Sequence, residues 1–289
     1  MEEVEIQSFW SSHPCGDQLL GAPDGTERQD YEAFFHRYDT AKYRLEPHIP
    51  RCLDALDLRG RRVLEIGLGQ GAEAEQLIRR GARWTGVDLT DTAVRRTRTR
   101  LALRELPFEA VHQASVLDLP LPDDSFDVVF SHGVLHHVPD IHRAQKEIHR
   151  VLKPGGELVV MLYARWSLNY LVSITLLRRA ALLVAHPLQR LGVLHESGGL
   201  LGAHLDNARR TGLMGYLRMS KFIHHNTDGP HNPYSQVYDV RRVRRDFPDF
   251  DVRHAEKRFL HAPPLPLHGL GSGKTLGWHL WVRLTPNAR

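Results

Sequence analysis

The chain of 289 residues has only two cysteines, Cys15 and Cys52, far apart in sequence. With no paired framework and no CxxC, a disulfide scaffold is excluded and a reducing cytoplasm is expected. A signal-type start is also missing. The first ten residues, MEEVEIQSFW, are acidic and hold no apolar h-region, so no signal peptide is expected. There is no internal repeat and no low-complexity tract. A strong charge of one sign is lacking too: 38 Lys and Arg stand against 34 Asp and Glu, a formal +4 with pI ≈ 9.2. That permits an anionic ligand without demanding nucleic acid, and no nucleic-acid partner is expected. Finally, no uninterrupted apolar run is long enough to span a membrane. The greasiest stretch, LNYLVSITLLRRAALLVA (168–185), has Arg178 and Arg179 in its middle, which a spanning helix tolerates badly. It reads as a buried or partner-facing amphipathic helix, with lipid-surface contact the lesser option.

What is present is ample for a core. Hydrophobic residues make up 42% of the chain and charged ones 25%, enough for one large domain with an elaboration or for two small ones. Residues 1–50 form an irregular, partly helical cap. From about 51 to 165, strand and helix patterns alternate. Val63–Ile66 enters a glycine cluster and then a helix; WTGVDL is the next strand; a helix capped by Thr90 or Asp91 follows. FEAVHQAS and SFDVVFSHG are strands, and DIHRAQKEIHRVL is a helix stopped by KPGG. ELVVMLYA closes the series. Alternation at these lengths means βα units and a parallel sheet. It breaks at Arg165. Residues 166–250 read as a mainly helical and loop-like insertion, and 251–289 as two final strands, DVRHAEKRFL and GWHLWVRL, paired antiparallel.

The glycines of EIGLGQG are Gly67, Gly69 and Gly71. Between a strand and a helix they let the backbone turn tightly, with the helix N–H groups facing a ligand. Asp88, at the end of the second strand, sits near the offset at which an acid accepts hydrogen bonds from a ribose diol. A nucleoside-containing cofactor follows. The loop also satisfies GxGxxA, so on its own it leaves a nicotinamide cofactor, and hence an NAD(P)-dependent oxidoreductase, open.

Four stretches in order, VLEIGLGQG, GVDLT, LPLPDDSFDVVFSHGVLHHVPD and EIHRVLKPGGELVV, decide which cofactor to expect. Over residues 60–165 the chain resembles a class I S-adenosylmethionine-dependent methyltransferase, of the type 11-like group found in bacterial small-molecule biosynthesis. The resemblance implies a Rossmann-like α/β fold, a mostly parallel seven-stranded sheet with an antiparallel last strand, here carrying a mainly helical insertion. It implies S-adenosyl-L-methionine as cofactor, with S-adenosyl-L-homocysteine as product. By the same resemblance Gly67, Gly69 and Gly71 pass under the methionine part, and Glu65 fixes that loop or the cofactor amine. Asp88 holds the ribose, Leu89 packs on the adenine, and Tyr38 lies over the cofactor carboxylate. Ser115 departs from the Asp common at its position; it and Val116 are still expected near the base. His132 and Gly133 leave the fourth strand beside the sulfonium.

His136 and His137, in VLHHVPD, have three readings. A His-x3-His pair with His132 can bind a metal on one helix face, but a strand end and a turn precede it, and no neighbouring Cys or acid completes a set, so no metal is expected. A histidine near neutral pKa can accept the acceptor's proton, with His136 the first choice and His137 the second. Otherwise the pair only walls the pocket. In an open α/β sheet the acceptor lies over the strand C-termini. Tyr163, ending ELVVMLYA, belongs there. So do His224, His225, Asn226, Asn232 and Tyr234 of HHNTDGPHNPYSQVY, whose turn chemistry needs no such density of polar groups. NPYS (232–235) resembles an Asn-Pro-Pro-Tyr methyltransferase motif but lies in the wrong place, and GLGSGKT (269–275) resembles a P-loop without its first glycine. The expectation is O- or N-methylation, with C-methylation open, of a polar or anionic small molecule in the cytoplasm. An apolar, isoprenoid-like acceptor is the rival, a homodimer is an option, and a catalytically silent scaffold is the remaining alternative.

Overall fold

A computed structural model describes residues 3–23, 27–193, 198–265, 267 and 273–288; most of GLGSGKT lies outside these. Seven strands form one sheet: β1 (Arg62–Ile66), β2 (Arg83–Asp88), β3 (Ala110–Gln113), β4 (Phe126–His132), β5 (Leu152–Tyr163), β6 (Phe250–Arg258) and β7 (His279–Pro286). Their order is β3-β2-β1-β4-β5-β7-β6. β1 to β5 pair in parallel, and β7 runs antiparallel to both β5 and β6. The sheet is the one expected, with the last strand as the reversed one.

The chain order changes direction between β1 and β4, the switch point where open α/β sheets bind ligands. β1 is buried at every position after Arg62, and β4 at all but two, as strands covered on both faces must be. One face packs Leu64, Val129 and Val160 against Ile148 and Val243. These last two come from α7 (Ile141–Val151) and α12 (Val240–Asp246). The other face packs Val63, Trp84 and Phe130 against Leu53, Leu77 and Leu101. Those belong to α4 (His48–Asp54), α5 (Ala72–Arg79) and α6 (Asp91–Leu103). Caps match the sequence: Thr90 Oγ1 accepts from the Ala93 N–H at 3.3 Å, and Asp140 Oδ1 from that of Arg143 at 3.1 Å. Both satisfy an orphan donor of a first turn.

KPGG does not act as a free stop. α7 ends at Val151 and β5 begins at Leu152, so the chain runs through Lys153–Gly156 within the strand. Phe126 faces Leu152 and Val128 faces Glu157. The surplus is absorbed as a bulge in which Gly155 takes φ +76°, a conformation glycine adopts without strain.

The amino-terminal cap is helical: α1 (Glu3–Ser12), α2 (Asp17–Leu20) and α3 (Arg28–Leu45). In the insertion, a π-helical stretch (Asn169–Arg178) runs into α8 (Arg179–Arg190), followed by α9 (Gly199–Thr211), α10 (Leu213–Tyr216) and α11 (Met219–Phe222). Its own small core joins Ile174, Leu182, Leu205, Tyr216 and Phe222 to Trp278. The continuous helix Asn169–Arg190 has the length and apolarity to cross a membrane, with 22% of its most apolar window buried. One side of it is docked on this core, and Arg178 donates to the Asn226 carbonyl at 2.9 Å, so it lies along the domain. Its other side exposes Leu176, Leu183, Val184 and Leu188, which fits the partner-facing of the two readings of the sequence better than the buried one.

Candidate active site

The glycine loop follows β1, and Gly67, Gly69 and Gly71 all have positive φ. Asp88 closes it from below. Its Oδ2 accepts from the Leu68 N–H at 2.7 Å, and its Oδ1 from the Thr90 N–H and hydroxyl, both at 2.8 Å. Burial pushes the carboxyl up, against the pull of these hydrogen bonds. Each carboxylate oxygen has two lone pairs, so Oδ1 is fully engaged and Oδ2 keeps at most one position for a hydroxyl donor. At the neighbouring strand end, the buried Ser131 hydroxyl donates to the Ile66 carbonyl at 3.0 Å, locking β4 beside the loop.

Glu65 has a different partner from the one expected. It points into the core beneath the loop, where its Oε2 accepts from Trp84 Nε1 at 2.8 Å. Burial holds its carboxyl well above the usual range. Leu89 presents its backbone carbonyl to Gln7 Nε2 of α1 at 2.9 Å. Ser115 donates to Glu3 of the same helix and accepts from the Leu117 N–H at 2.9 Å, while Val116 is buried in the core beneath. The cap therefore covers the surface at Leu89 and Ser115. It is pinned further along the loop, where Gln70 Nε2 donates to the Cys15 carbonyl at 2.7 Å and Arg96 holds Asp17 through two bonds of 2.6 and 2.9 Å. Tyr38, buried on α3, meets the same loop through Cys15, whose Sγ lies 3.8 Å from its hydroxyl.

A string of buried ionisable groups, missed at the sequence level, runs behind His132. Lys42 Nζ lies 2.7 Å from Glu73 Oε1, which is 3.9 Å from His132 Nδ1. Burial lowers His132 to about 4, so it is neutral at ordinary pH. Glu46, 3.6 Å from His279, is pushed up to about 7 by burial. The signal available was GAEAEQ, an acid in the first turn of the helix that follows the glycine loop.

The acceptor end joins residues far apart in sequence. His136 is fully buried, with its ring 3.9 Å from that of Tyr163, and burial pulls it well below the ordinary histidine value. His137 Nδ1 lies 2.7 Å from the Tyr234 carbonyl, and its Nε2 3.2 Å from Asp228 Oδ2. The Tyr163 hydroxyl donates to Asp228 Oδ1 at 2.7 Å. Trp10 of α1 packs edge-on against His137. Asp228, in the turn NTDGP, was not among the expected residues, although its neighbours were.

Those neighbours hold the loop in shape. His224 Nδ1 engages the backbone of Ser235 at 2.7 and 3.1 Å, and its ring stacks on Tyr234. Asn226 Nδ2 donates to the Phe222 carbonyl at 2.8 Å, and Asn232 Nδ2 to the Thr227 hydroxyl at 3.1 Å. His225 stacks on Tyr216. Of the insertion residues expected on the substrate side, Tyr234 alone touches the histidine pair, through its carbonyl.

Residues 64–160 match the methyltransferase domain family. The matched stretch holds the glycine loop and Asp88, and it favours S-adenosylmethionine over the nicotinamide cofactor that the loop left open. The chain is 35% identical to a ubiquinone biosynthesis O-methyltransferase of Alkalilimnicola ehrlichii, over 47% of this chain and 54% of that one. It is 39% identical to a fatty-acid O-methyltransferase of Mycolicibacterium smegmatis, over 35% and 36%. The chain thus spans about half the length of the first of these relatives and about a third of the second. A solved S-adenosylmethionine-dependent methyltransferase of Aquifex aeolicus shares the fold, with TM-score 0.52 and 14% identity over 91% of this chain and all of that one. The glycine loop and β1 to β4 lie almost wholly within the matched residues. The insertion and the Asp228 turn lie beyond the matched residues.

Proposed function

We propose that this chain transfers the methyl group of S-adenosylmethionine to an oxygen or nitrogen of a small molecule that has a polar head and an apolar body. The observation that carries the reading is the placement of two half-sites at one switch point. The glycine loop with Asp88 stands on one side, and His136, His137, Tyr163 and Asp228 on the other. The chain's residues fit the cofactor. The left-handed loop gives close backbone approach, Asp88 Oδ2 keeps one accepting position for a ribose hydroxyl, and Lys42 with Glu73 supplies paired charge near His132. When bound, the cofactor supplies an electrophilic methyl on a sulfonium. The protein's work is then mainly alignment and exclusion of water. Trp10 packs on His137 and the cap covers the surface at Leu89 and Ser115, while Tyr163 packs against both histidines. Burial keeps His136 neutral, and neither of its ring nitrogens is bonded among the described residues.

The apolar body is supported by the exposed leucines and Val184 of Asn169–Arg190 and by relatives named for ubiquinone biosynthesis and for fatty-acid O-methylation. Both move the reading away from the wholly polar acceptor expected from charge and histidine content. The test is calorimetric titration of wild type and Asp88→Ala with S-adenosylhomocysteine and, in parallel, NADH. The expected result is S-adenosylhomocysteine binding that weakens by about tenfold or more in the variant, in line with the loss of charged hydrogen bonds, and no NADH binding. NADH binding without S-adenosylhomocysteine binding would overturn the reading.

A further inference from the structure

We propose that His136, His137 and Asp228 form a binding site for one divalent transition-metal ion, placed to take the acceptor's oxygen. One donor atom from each lies within 4.8 Å of the other two. The site rests on a set of buried atoms with nothing to bond. Among the described residues, neither ring nitrogen of His136 has a hydrogen-bond partner, and Nε2 of His137 and Oδ2 of Asp228 meet only each other. His136 is wholly buried and His137 is 4% exposed. Leaving such atoms bare costs about 1–3 kcal/mol apiece, and native proteins rarely gather them in one place.

The surroundings are those of ligands oriented for a cation. His137 Nδ1 lies 2.7 Å from the Tyr234 carbonyl. A carbonyl only accepts, so that nitrogen carries the proton and the Nε2 lone pair faces outward. It faces Asp228 Oδ2, another acceptor, at 3.2 Å. Two lone pairs at that distance repel unless a positive charge sits between them. Tyr163 donates to the other carboxylate oxygen at 2.7 Å. A carbonyl behind the histidine and a hydroxyl behind the carboxylate are the outer-shell partners that hold metal ligands. A single extra proton on His137 would ease the Nε2–Oδ2 contact but would leave both nitrogens of His136 bare. An ion engages all three residues.

Two imidazoles and one carboxylate suit Zn²⁺, Fe²⁺ or a similar first-row ion and leave coordination positions open. This site rests on the methyltransferase reading only for its occupant at those positions. It specifies an acceptor with an ionisable oxygen, such as a phenol, enol or hydroxy acid. A bound cation lowers the pKa of that oxygen. The proton leaves to water, the oxygen forms its bond to the methyl carbon, and the S–C electron pair returns to sulfur as a neutral thioether.

The test measures metal first and turnover not at all. Full-length protein, stripped with chelator, is titrated calorimetrically with Zn²⁺ and, separately, with Co²⁺, whose visible absorption reports its ligands. Wild type should take up about one ion per chain at a site whose affinity falls at least about 100-fold in Asp228→Asn and His136→Gln. Tyr163→Phe, which removes only the outer-shell donor, should weaken it by about tenfold. Far-UV circular dichroism and S-adenosylhomocysteine binding serve as fold controls. Wild-type uptake no stronger than that of Asp228→Asn, in protein that still binds S-adenosylhomocysteine, would overturn the metal site and leave a proton-sharing His137–Asp228 pair. Strong metal uptake without S-adenosylhomocysteine binding would support the site and sink the methyltransferase reading instead.

Discussion

The sharpest test of the cofactor half-site is Gly67→Ala. Gly67 has φ +82°, and a Cβ added there would stand 2.1 Å from Val134 Cγ2 and 2.9 Å from Val134 Cβ. Two costs combine. The left-handed conformation costs a non-glycine residue about 1–2 kcal/mol. Forcing a methyl into a packed site costs about 1–3 kcal/mol. The variant should therefore lose about 2–5 kcal/mol in urea unfolding at an unchanged m-value. Val134 leads directly into His136, so the push also displaces the acceptor wall, and S-adenosylhomocysteine binding should fall with stability. Val134→Ala separates the terms. It removes the 2.1 Å clash and leaves the 2.9 Å contact, which a shift of a few tenths of an ångström relieves. The double variant should recover about 1–2 kcal/mol relative to additivity, while the backbone strain remains. A Gly67→Ala protein within about 0.5 kcal/mol of wild type, the range of ordinary surface substitutions, would refute the packing argument. Strict additivity would refute the assignment of the clash to Val134.

Two further outcomes follow from buried charge. Glu46 is pushed up to about 7 by burial, with Lys42 opposing and Glu73 reinforcing the shift, and His279 faces it from β7. A raised carboxyl favours its neutral form in the folded state. That contribution is complete below about pH 4.5 and is lost as pH rises through about 7. Glu46→Gln should match wild type near pH 4.5 and be more stable by about 2–3 kcal/mol at pH 8; a pH-independent difference in unfolding free energy would refute the assignment. Arg100 is wholly buried and pairs with Asp39 of α3 and with Glu75 of α5 at 2.9 Å. Arg100→Met strands both acids and should cost about 3 kcal/mol, the low end for a broken buried network because Glu75 keeps Arg79 at 2.8 Å. A loss under about 1 kcal/mol by urea unfolding would show that solvent reaches the pair.

The legible part of the fold was the part with local patterns. Each βα unit announces itself through a strand run, a turn residue and a cap such as Thr90 or Asp140, all within about twenty positions. The glycine loop and Asp88 belong to one such unit, so that half-site could be read directly. The helix ends before KPGG as read; the early start of β5 was not legible because Pro-Gly-Gly also fits a bulge, which only pairing with β4 reveals. Glu65 misled for a similar reason: its position beside the loop is local, but its partner Trp84 comes from the next strand. The stretch 168–185 was left open between a buried and a partner-facing helix, because composition does not say how much of a helix finds a neighbour.

The acceptor half-site was illegible because it is made by long-range contact. His137 and Asp228 are 91 positions apart in the chain, and the bond that positions His137 goes to a carbonyl, which every residue possesses. The excess of polar side chains in HHNTDGPHNPYSQVY was a sound signal of a constrained loop, and most of those groups are spent on constraining it. His224, Asn226 and Asn232 bind backbone or neighbouring hydroxyls. That rigidity is what holds Asp228, an acid in an ordinary turn, against the histidine pair. Hence the residue to which the proposed chemistry is assigned was the least conspicuous one in the run. The same logic applies to His136. Its sequence context suggests a wall, and what singles it out is the absence of any partner for two buried nitrogens, a property that exists only once the chain is folded.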